Sequence, residues 1–392
     1  MLFLLFASFA FASFEVPGFE LVYTMPVETK LANEDLRDPV TVWNEMFASA
    51  KKRIDLAQMY ISGKDGEPLD KVIEGLEAAA ARGVKIRVTT EEKMKRASVD
   101  ETIERLKKIK GLELRSYEFG KMSPDGINHA KYIVIDGGEQ AFIGSQNFDW
   151  RALKHIHETG LRIVDKKIAK QIQAVFDQDW KAAGILAKGG TVPKVQSKPL
   201  LADEKQRAYL VASPFAYNPK GVADSQSELP RLINSAKEEV RIMVMDYAPI
   251  SRDHTFYPVI DNAIRNASVR GVKVKLLVAH WSTEVPEIDH LKSLSLLPGI
   301  EIKIGTIPEA KEGFIPFGRV NHSKFMEIDG KLAWVGTSNW AGGYLDKTRN
   351  LELVIRDDKL AARLRALHEQ LWSSEYAAPV DVNKVYPKVK KG

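Results

Sequence analysis

The chain has 392 residues, 44% of them apolar, with a formal net charge of +5 and no cysteine. That length allows two ordinary domains with a sizeable core, and the absence of cysteine excludes disulfides, thiolate nucleophiles and Cys-ligated zinc. The mild basic excess suits a polyanionic partner but is far from a histone-like balance.

The N-terminus, "MLFLLFASFAFASFEVPG" (1–18), is uncharged up to Glu15. This falls short of the roughly 20 apolar residues that cross a bilayer. Ala10-Phe11-Ala12 has A-x-A cleavage spacing, so residues 1–12 are expected to be a secretory signal, although no Lys or Arg precedes the run. No later segment is long and apolar enough to span a membrane. The mature protein is therefore expected to be soluble, and periplasmic or secreted.

A first half is expected over 13–186. "ASAKKRIDLAQMYI" (48–61) reads as a helix end followed by a buried strand. "VIEGLEAAAARGVKIRVTT" (72–90) reads as an amphipathic helix stopped at Gly83, then a Val/Ile-rich strand. "NHAKYIVIDG" (128–137) reads as another strand, with His129 and Lys131 two apart and so on one face. An imidazole and an ammonium side by side discourage each other from being charged. A Gly144-Ser145-Gln146-Asn147 turn follows, then a strand "TGLRIVD" (159–165) and a helix over 166–183.

Residues 187–205 carry Gly, Pro, Lys and Ser without a period and read as a linker. The second half, 206–392, repeats the first. "NSAKEEVRIMVMDY" (234–247) echoes 48–61, "VIDNAIRNASVRGVKVKLLV" (259–278) echoes 72–90 with Gly271 as the stop, and "NHSKFMEIDG" (321–330) echoes 128–137. Gly336-Thr337-Ser338-Asn339, a strand "NLELVIRD" (350–357) and a helix over 358–373 complete the copy. A period of half the chain is too long for a solenoid. Alternating strands and helices predict an α/β sandwich in each half, with a mostly parallel sheet.

Both echoes fit H-x-K-x-x-x-x-D: His129, Lys131 and Asp136, then His322, Lys324 and Asp329. One such match is weak; two at equivalent places in a duplication, each with the same downstream Asn, are strong. Attack on an anionic phosphodiester needs cations to offset charge on the equatorial oxygens. Two Lys ammoniums and two Asn amides from opposite halves would supply them. Two facing histidines can divide the remaining work, one attacking phosphorus and the other protonating the leaving oxygen before activating water.

The paired motifs resemble those of the phospholipase D superfamily, and the resemblance covers nearly the whole mature chain. It implies an α/β phospholipase D-like fold: two tandem α/β/α sandwich halves related by a pseudo-twofold, with the site between them. It also implies a phosphohistidine intermediate and no metal or other cofactor. "FDWR" (148–151), "GTSNWAGGY" (336–344), "SPFAYNPKG" (213–221) and "RGVKVKLLVAHW" (270–281) look most like the lysosomal phospholipase D-like branch. Members of that branch act as single-strand 5′-exonucleases and have been linked to lipid transphosphatidylation. This chain departs from the branch in carrying Asp329 where Glu is frequent, and in a signal-like start in place of a membrane anchor.

By position, the resemblance makes His129 and His322 the nucleophile and acid/base pair. Lys131, Lys324, Asn147 and Asn339 would hold the phosphate, with Ser145 and Trp340 as further substrate contacts. Glu158 and Glu352 sit where the family places an acid that hydrogen-bonds a motif His; surface salt bridges are the alternative for both. Asp136 and Asp329, grouped with the catalytic motifs, are expected to brace turns rather than touch substrate. The "HIH" at 155–157 lacks a carboxylate cluster and reads as exposed polar residues. Phe148, Trp150, Trp281, Phe317, Trp340 and Tyr344 either stack on unpaired bases or pack in the core. The basic tail "KVYPKVKKG" (384–392) reads as a solvated end.

Two substrates share this chemistry. The expected function is a nuclease on single-stranded DNA or RNA, working as a 5′-exonuclease; the alternative is a phospholipase D or transphosphatidylase on glycerophospholipids. A nucleic-acid-binding scaffold without activity fits poorly, since both motifs are complete. Asn321-His322-Ser323 matches the N-glycosylation pattern, and a glycan there would block the site. That argues for a bacterial exported protein. With both half-sites in one chain, a monomer should suffice.

Overall fold

The structure is a computed structural model that describes residues 13–251 and 253–392. The expected signal segment, 1–12, lies outside the described residues. In the first half, β1 (Glu15–Val16), β2 (Phe19–Thr24), α1 (Pro39–Ser49), β3 (Arg53–Ala57), β4 (Ile61–Ser62) and α2 (Pro68–Ala81) come first. They are followed by β5 (Lys85–Glu91), α3 (Asp100–Lys107), β6 (Leu112–Tyr117), β7 (Tyr132–Ile135), β8 (Gln140–Gly144), β9 (Phe148–Asp149), β10 (Glu158–Ile163) and α4 (Lys166–Leu186).

The second half begins with β11 (Ala208–Ser213), β12 (Ala223–Asp224), α5 (Ser225–Ser235), β13 (Glu239–Val244), β14 (Tyr247–Ala248), α6 (Val259–Val269) and β15 (Lys273–Ala279). It closes with α7 (Glu287–Ser295), β16 (Ile300–Gly305), β17 (Phe325–Ile328), β18 (Leu332–Gly336), β19 (Trp340–Ala341), β20 (Asn350–Arg356), α8 (Asp358–Trp372) and β21 (Ala377–Pro379). Residues 187–207 between the halves contain neither helix nor strand.

Each half has one large sheet, in the orders β1-β2-β10-β8-β7-β3-β5-β6 and β12-β11-β20-β18-β17-β13-β15-β16-β21. The shared core order 10-8-7-3-5-6 and 20-18-17-13-15-16 is the duplication seen in space. The sheets are mixed and mainly antiparallel, contrary to the parallel sheet expected. Only β3-β5-β6 and β13-β15-β16, joined through helices, run parallel within the shared order. The strands that follow each motif return through tight Asp-Gly turns, and such short connections permit only antiparallel pairing.

Both faces of each sheet are covered, so the strands read as near-continuous apolar runs. In β7, Tyr132 and Val134 enter a core shared with α4, while Ile133 and Ile135 enter a second core with Trp43 and Met46 of α1 and Val72 of α2. The first of these cores crosses between the halves, joining Ile143, Leu161 and Ile172 to Leu210, Leu353, Leu364 and Leu371. The two sandwiches therefore bury a common apolar face, which fixes one half against the other. Helices α4 and α8 start alike: Asp165 accepts from the Lys167 and Ile168 N–H groups, and Asp357 from those of Lys359 and Leu360.

The motif aspartates sit in left-handed turns, Asp136 at φ +50° and Asp329 at φ +53°. Their carboxylates offset that strain by collecting backbone donors from a neighbouring loop. Asp136 accepts from Lys51, Lys52 and Arg53 N–H at 2.8, 2.7 and 2.8 Å. Asp329 accepts from Lys237, Glu238 and Glu239 N–H at 2.8, 2.9 and 2.8 Å. Both brace turns at the strand ends remote from the motif histidines, so neither belongs to the reaction centre.

Candidate active site

The regular strands begin only at Tyr132 and Phe325. His129-Ala130-Lys131 and His322-Ser323-Lys324 lie just before them, in extended chain gripped by the opposite half. The His129 N–H donates to the Arg349 carbonyl (3.0 Å) and the His322 N–H to the His157 carbonyl (2.9 Å). Arg349 and His157 donate in return to the Ile127 and Val320 carbonyls, at 2.9 and 3.0 Å. Each motif is thus an edge segment paired across the pseudo-twofold.

The opposite half also orients each imidazole. His322 Nδ1 lies 2.8 Å from Glu158 Oε2, and His129 Nδ1 lies 2.9 Å from Asn350 Oδ1. Asn350 spends its amide Nδ2 on the Tyr344 carbonyl (2.9 Å), and its Oδ1 also accepts from Thr337 Oγ1 (2.8 Å). Oδ1 is therefore an acceptor toward His129, so Nδ1 carries the proton and Nε2 keeps its lone pair. Glu158 fulfils its expected position as partner of a motif histidine. Glu352 does not: it bonds Ser225 and Ser338.

Strand register explains the error. Gly160 pairs with Gly144 in the first half, and Glu352 with Gly336 in the second. Glu352 is thus the counterpart of Gly160, and Asn350 that of Glu158. Aligning "HETGLRIVD" with "RNLELVIRD" on Asp165 and Asp357 would have exposed this from sequence. The space beside this pair is filled from opposite sides in the two halves. Gln146 of the turn crowds Gly144 and Gly160, whereas Glu352 of the strand crowds Gly336 and accepts from Ser338. Burial raises the Glu352 carboxyl to about 7.

The two lysines stand beside the histidines, Lys131 Nζ donating to the His129 carbonyl (2.5 Å) and Lys324 Nζ to that of His322 (2.7 Å). Both are fully buried, as is Asn339, and Asn147 is nearly so. Burial, then the opposing Lys324, drives the Lys131 ammonium well below its ordinary value. Lys324 falls to about 8 through burial, opposed by Glu158 and Asp246. His129 and His322 are held well below the usual imidazole range, first by burial and then by the two lysines. Burial lifts Glu158 to about 7 against the pull of Lys324. These mutual influences place His129, Lys131, His322, Lys324 and Glu158 in one electrostatic unit. An anion entering it would restore the charge that crowding suppresses.

Other residues take structural roles. Ser145 Oγ donates to the Thr159 carbonyl (3.1 Å) and accepts from its N–H (3.0 Å), securing the start of β10 beside Glu158 and His322. Trp340 is wholly buried, edge-on to Trp334 at 5.6 Å, so it is core. His155 and His157 are buried, not exposed, because this segment forms the interface between the halves; burial lowers each to about 4. Asp246, absent from the sequence reading, accepts from Asn339 Nδ2 (3.1 Å), and burial raises its carboxyl. No group of three His, Cys, Asp or Glu suited to a metal occurs among the described residues.

Two histidines and two lysines, converging from duplicated sheets, define a phosphodiesterase centre. Residues 44–180 and 229–372 match the family described as cardiolipin synthase, PLD-like domain. The chain belongs to the phospholipase D superfamily. It is similar to phospholipase D Z of Dictyostelium discoideum, with 32% identity covering 86% of this chain and 85% of that one. It is also similar to 5′-3′ exonuclease PLD3 of Xenopus laevis, with 30% identity covering 86% and 75%. Phosphatidylserine synthase of Haemophilus influenzae Rd KW20 shares the fold at TM-score 0.60 and 12% identity, over 87% of this chain and 85% of that one.

Proposed function

We propose that the chain is a nuclease that hydrolyses phosphodiesters of single-stranded DNA or RNA, working from a 5′ end through a phosphohistidine. The unequal partners of the two histidines support a division of roles. Asn350 is neutral and holds His129 with Nε2 unprotonated, which suits a nucleophile. Glu158 can stabilise an imidazolium at His322, which suits the acid. His129 Nε2 would bond to phosphorus as the P–O bond to the leaving group breaks, and His322 would donate its proton to that oxygen. His322 would then take a proton from water, whose oxygen attacks phosphorus as the P–N bond breaks and His129 is released. Lys131, Lys324, Asn147 and Asn339 would hold the phosphate oxygens throughout.

The similarity to an enzyme named as a 5′-3′ exonuclease favours nucleic acid. The comparable similarity to one named phospholipase D keeps a phospholipid diester as the second reading. No helix among the described residues is long and apolar enough to cross a membrane. Export to the periplasm or medium belongs to this reading and rests on the signal-like first 12 residues; N-terminal sequencing of the native protein tests it. Substrate is tested by offering a labelled single-stranded oligonucleotide and, separately, phosphatidylcholine vesicles. Shortening of the oligonucleotide without choline release is expected, and the reverse result would overturn the nuclease reading.

A further inference from the structure

Six aromatic residues flank the motifs in sequence, and the structure separates them. Phe148 and Trp340 are core. Tyr344 meets His129 edge-on at 5.2 Å, and Trp150 is half-buried, with Lys64 Nζ 4.4 Å above its ring. Trp281, partly buried, packs with Met245 on a small cluster of Ala152, Ile156, Ala279 and Val320; Met245 and Val320 are next in sequence to Asp246 and Asn321. Phe317 differs from all of them: it is 53% exposed, five residues before His322.

The chain works to keep Phe317 there. Its φ is +57° and that of Arg319 is +54°, left-handed values that a bulky side chain adopts only when its surroundings impose them. Three anchors do so. Arg319, buried, donates to the Pro308 and Val27 carbonyls at 2.5 and 2.7 Å. Arg151, four residues after Asn147, donates to the Pro316 carbonyl at 3.1 Å. The Phe317 N–H donates to the Lys391 carbonyl at 2.5 Å. The tail read from sequence as solvated is therefore docked: Glu284 accepts from the Val389 N–H (3.0 Å) and from Lys391 Nζ (3.2 Å), and Gly392 rests against the Phe317 ring. Trp281 closes the other side, edge-on at 6.4 Å and 84°. Ser282, next in sequence to Trp281, donates to the Met245 carbonyl (3.0 Å) and to Asp246 Oδ1 (3.4 Å), and Asp246 accepts from Asn339, so this assembly borders the phosphate site.

From this geometry we infer that Phe317, backed by Trp281 and the docked 389–392 segment, is a stacking platform for a nucleobase of the substrate strand beside the reaction centre. An exposed ring held rigidly next to cations is what a single strand recognises without regard to sequence. The inference rests on the nuclease reading. Steady-state kinetics on an oligothymidylate and on an abasic oligonucleotide of equal length separate base contacts from phosphate contacts. The wild type should favour the base-bearing strand. Phe317→Ala should raise its KM about tenfold, within the range one stacked base contributes, and erase the preference; Phe317→Trp should keep it. An unchanged ratio in Phe317→Ala overturns the platform, and does so in favour of a membrane contact if vesicle binding is lost instead. Cleavage of neither strand by the wild type overturns the nuclease reading and the platform together.

Discussion

At the residue scale the site is defined by what partners each imidazole. Glu158, lifted to about 7, sets an acid limit: below that value it takes up a proton and no longer supports a cation at His322. Lys324, lowered to about 8, is expected to set a basic limit, because above it the ammonium proposed to hold the phosphate loses its charge. The pH profile of kcat/KM is therefore expected to be a narrow bell with limbs near 7 and 8, read on the free enzyme. Glu158→Gln should lower kcat and remove the acid limb; a limb unmoved in that variant would assign it elsewhere. Stability follows the same group with opposite benefit. Glu158 holds its proton more tightly folded than at its ordinary 4.5, so its contribution is complete below 4.5 and is lost as pH rises through about 7. Asn350→Asp would give His129 a carboxylate like that of His322, raising its proton affinity. Its rate should fall roughly tenfold or more below neutrality and recover on raising the pH.

At the scale of the element, the turns after β7 and β17 show which parts of a motif are architecture. Asp136 tolerates a left-handed φ because its carboxylate collects three N–H groups. Asp136→Ala should cost about 2–4 kcal/mol in urea unfolding, from lost charge-assisted bonds and an ill-suited φ. Asp136→Asn, which adopts that φ and keeps an acceptor, should cost less. Equal losses would show that the bonds are not what Asp provides.

Much at this scale was legible in the sequence. The helices over 166–183 and 358–373, the stops at Gly83 and Gly271, and the paired motifs are all local patterns, and the structure has α4 and α8 there, with both glycines at positive φ. Strand direction is not legible in the sequence, because alternating strands and helices also occur where hairpins intervene. Glu352 was misplaced because a two-residue offset preserves side-chain parity, so periodicity cannot expose it. His157 and Trp340 carried no local signal of their burial: one lies between the halves and the other beneath the Asn339 turn. Docking of the tail leaves no local signal, because its partners, Glu284 and Phe317, are remote in sequence.

At the scale of the whole molecule, neither half holds its own histidine. His129 depends on Arg349 and Asn350 of the second half, and His322 on His157 and Glu158 of the first. Arg349 is in turn fastened to α4 by a fully buried pair with Asp179, two bonds of 2.9 Å each. Removing Asp179 would strand a buried guanidinium, so Asp179→Ala should destabilise the protein by about 3–5 kcal/mol. Activity in that variant should fall beyond the loss of folded protein, since the strand carrying Asn350 loses its anchor. A variant with wild-type specific activity per folded molecule would separate the interface from the chemistry.

His129 is expected to bond covalently to phosphorus while His322 handles protons. Rapid quenching at alkaline pH, with EDTA present throughout, followed by peptide mass spectrometry, locates the adduct directly. A nucleotidyl adduct joined through phosphorus to His129, present during wild-type turnover and absent in His129→Ala, is the predicted result. An adduct on His322, or chemistry that stops when EDTA is added, would contradict the account.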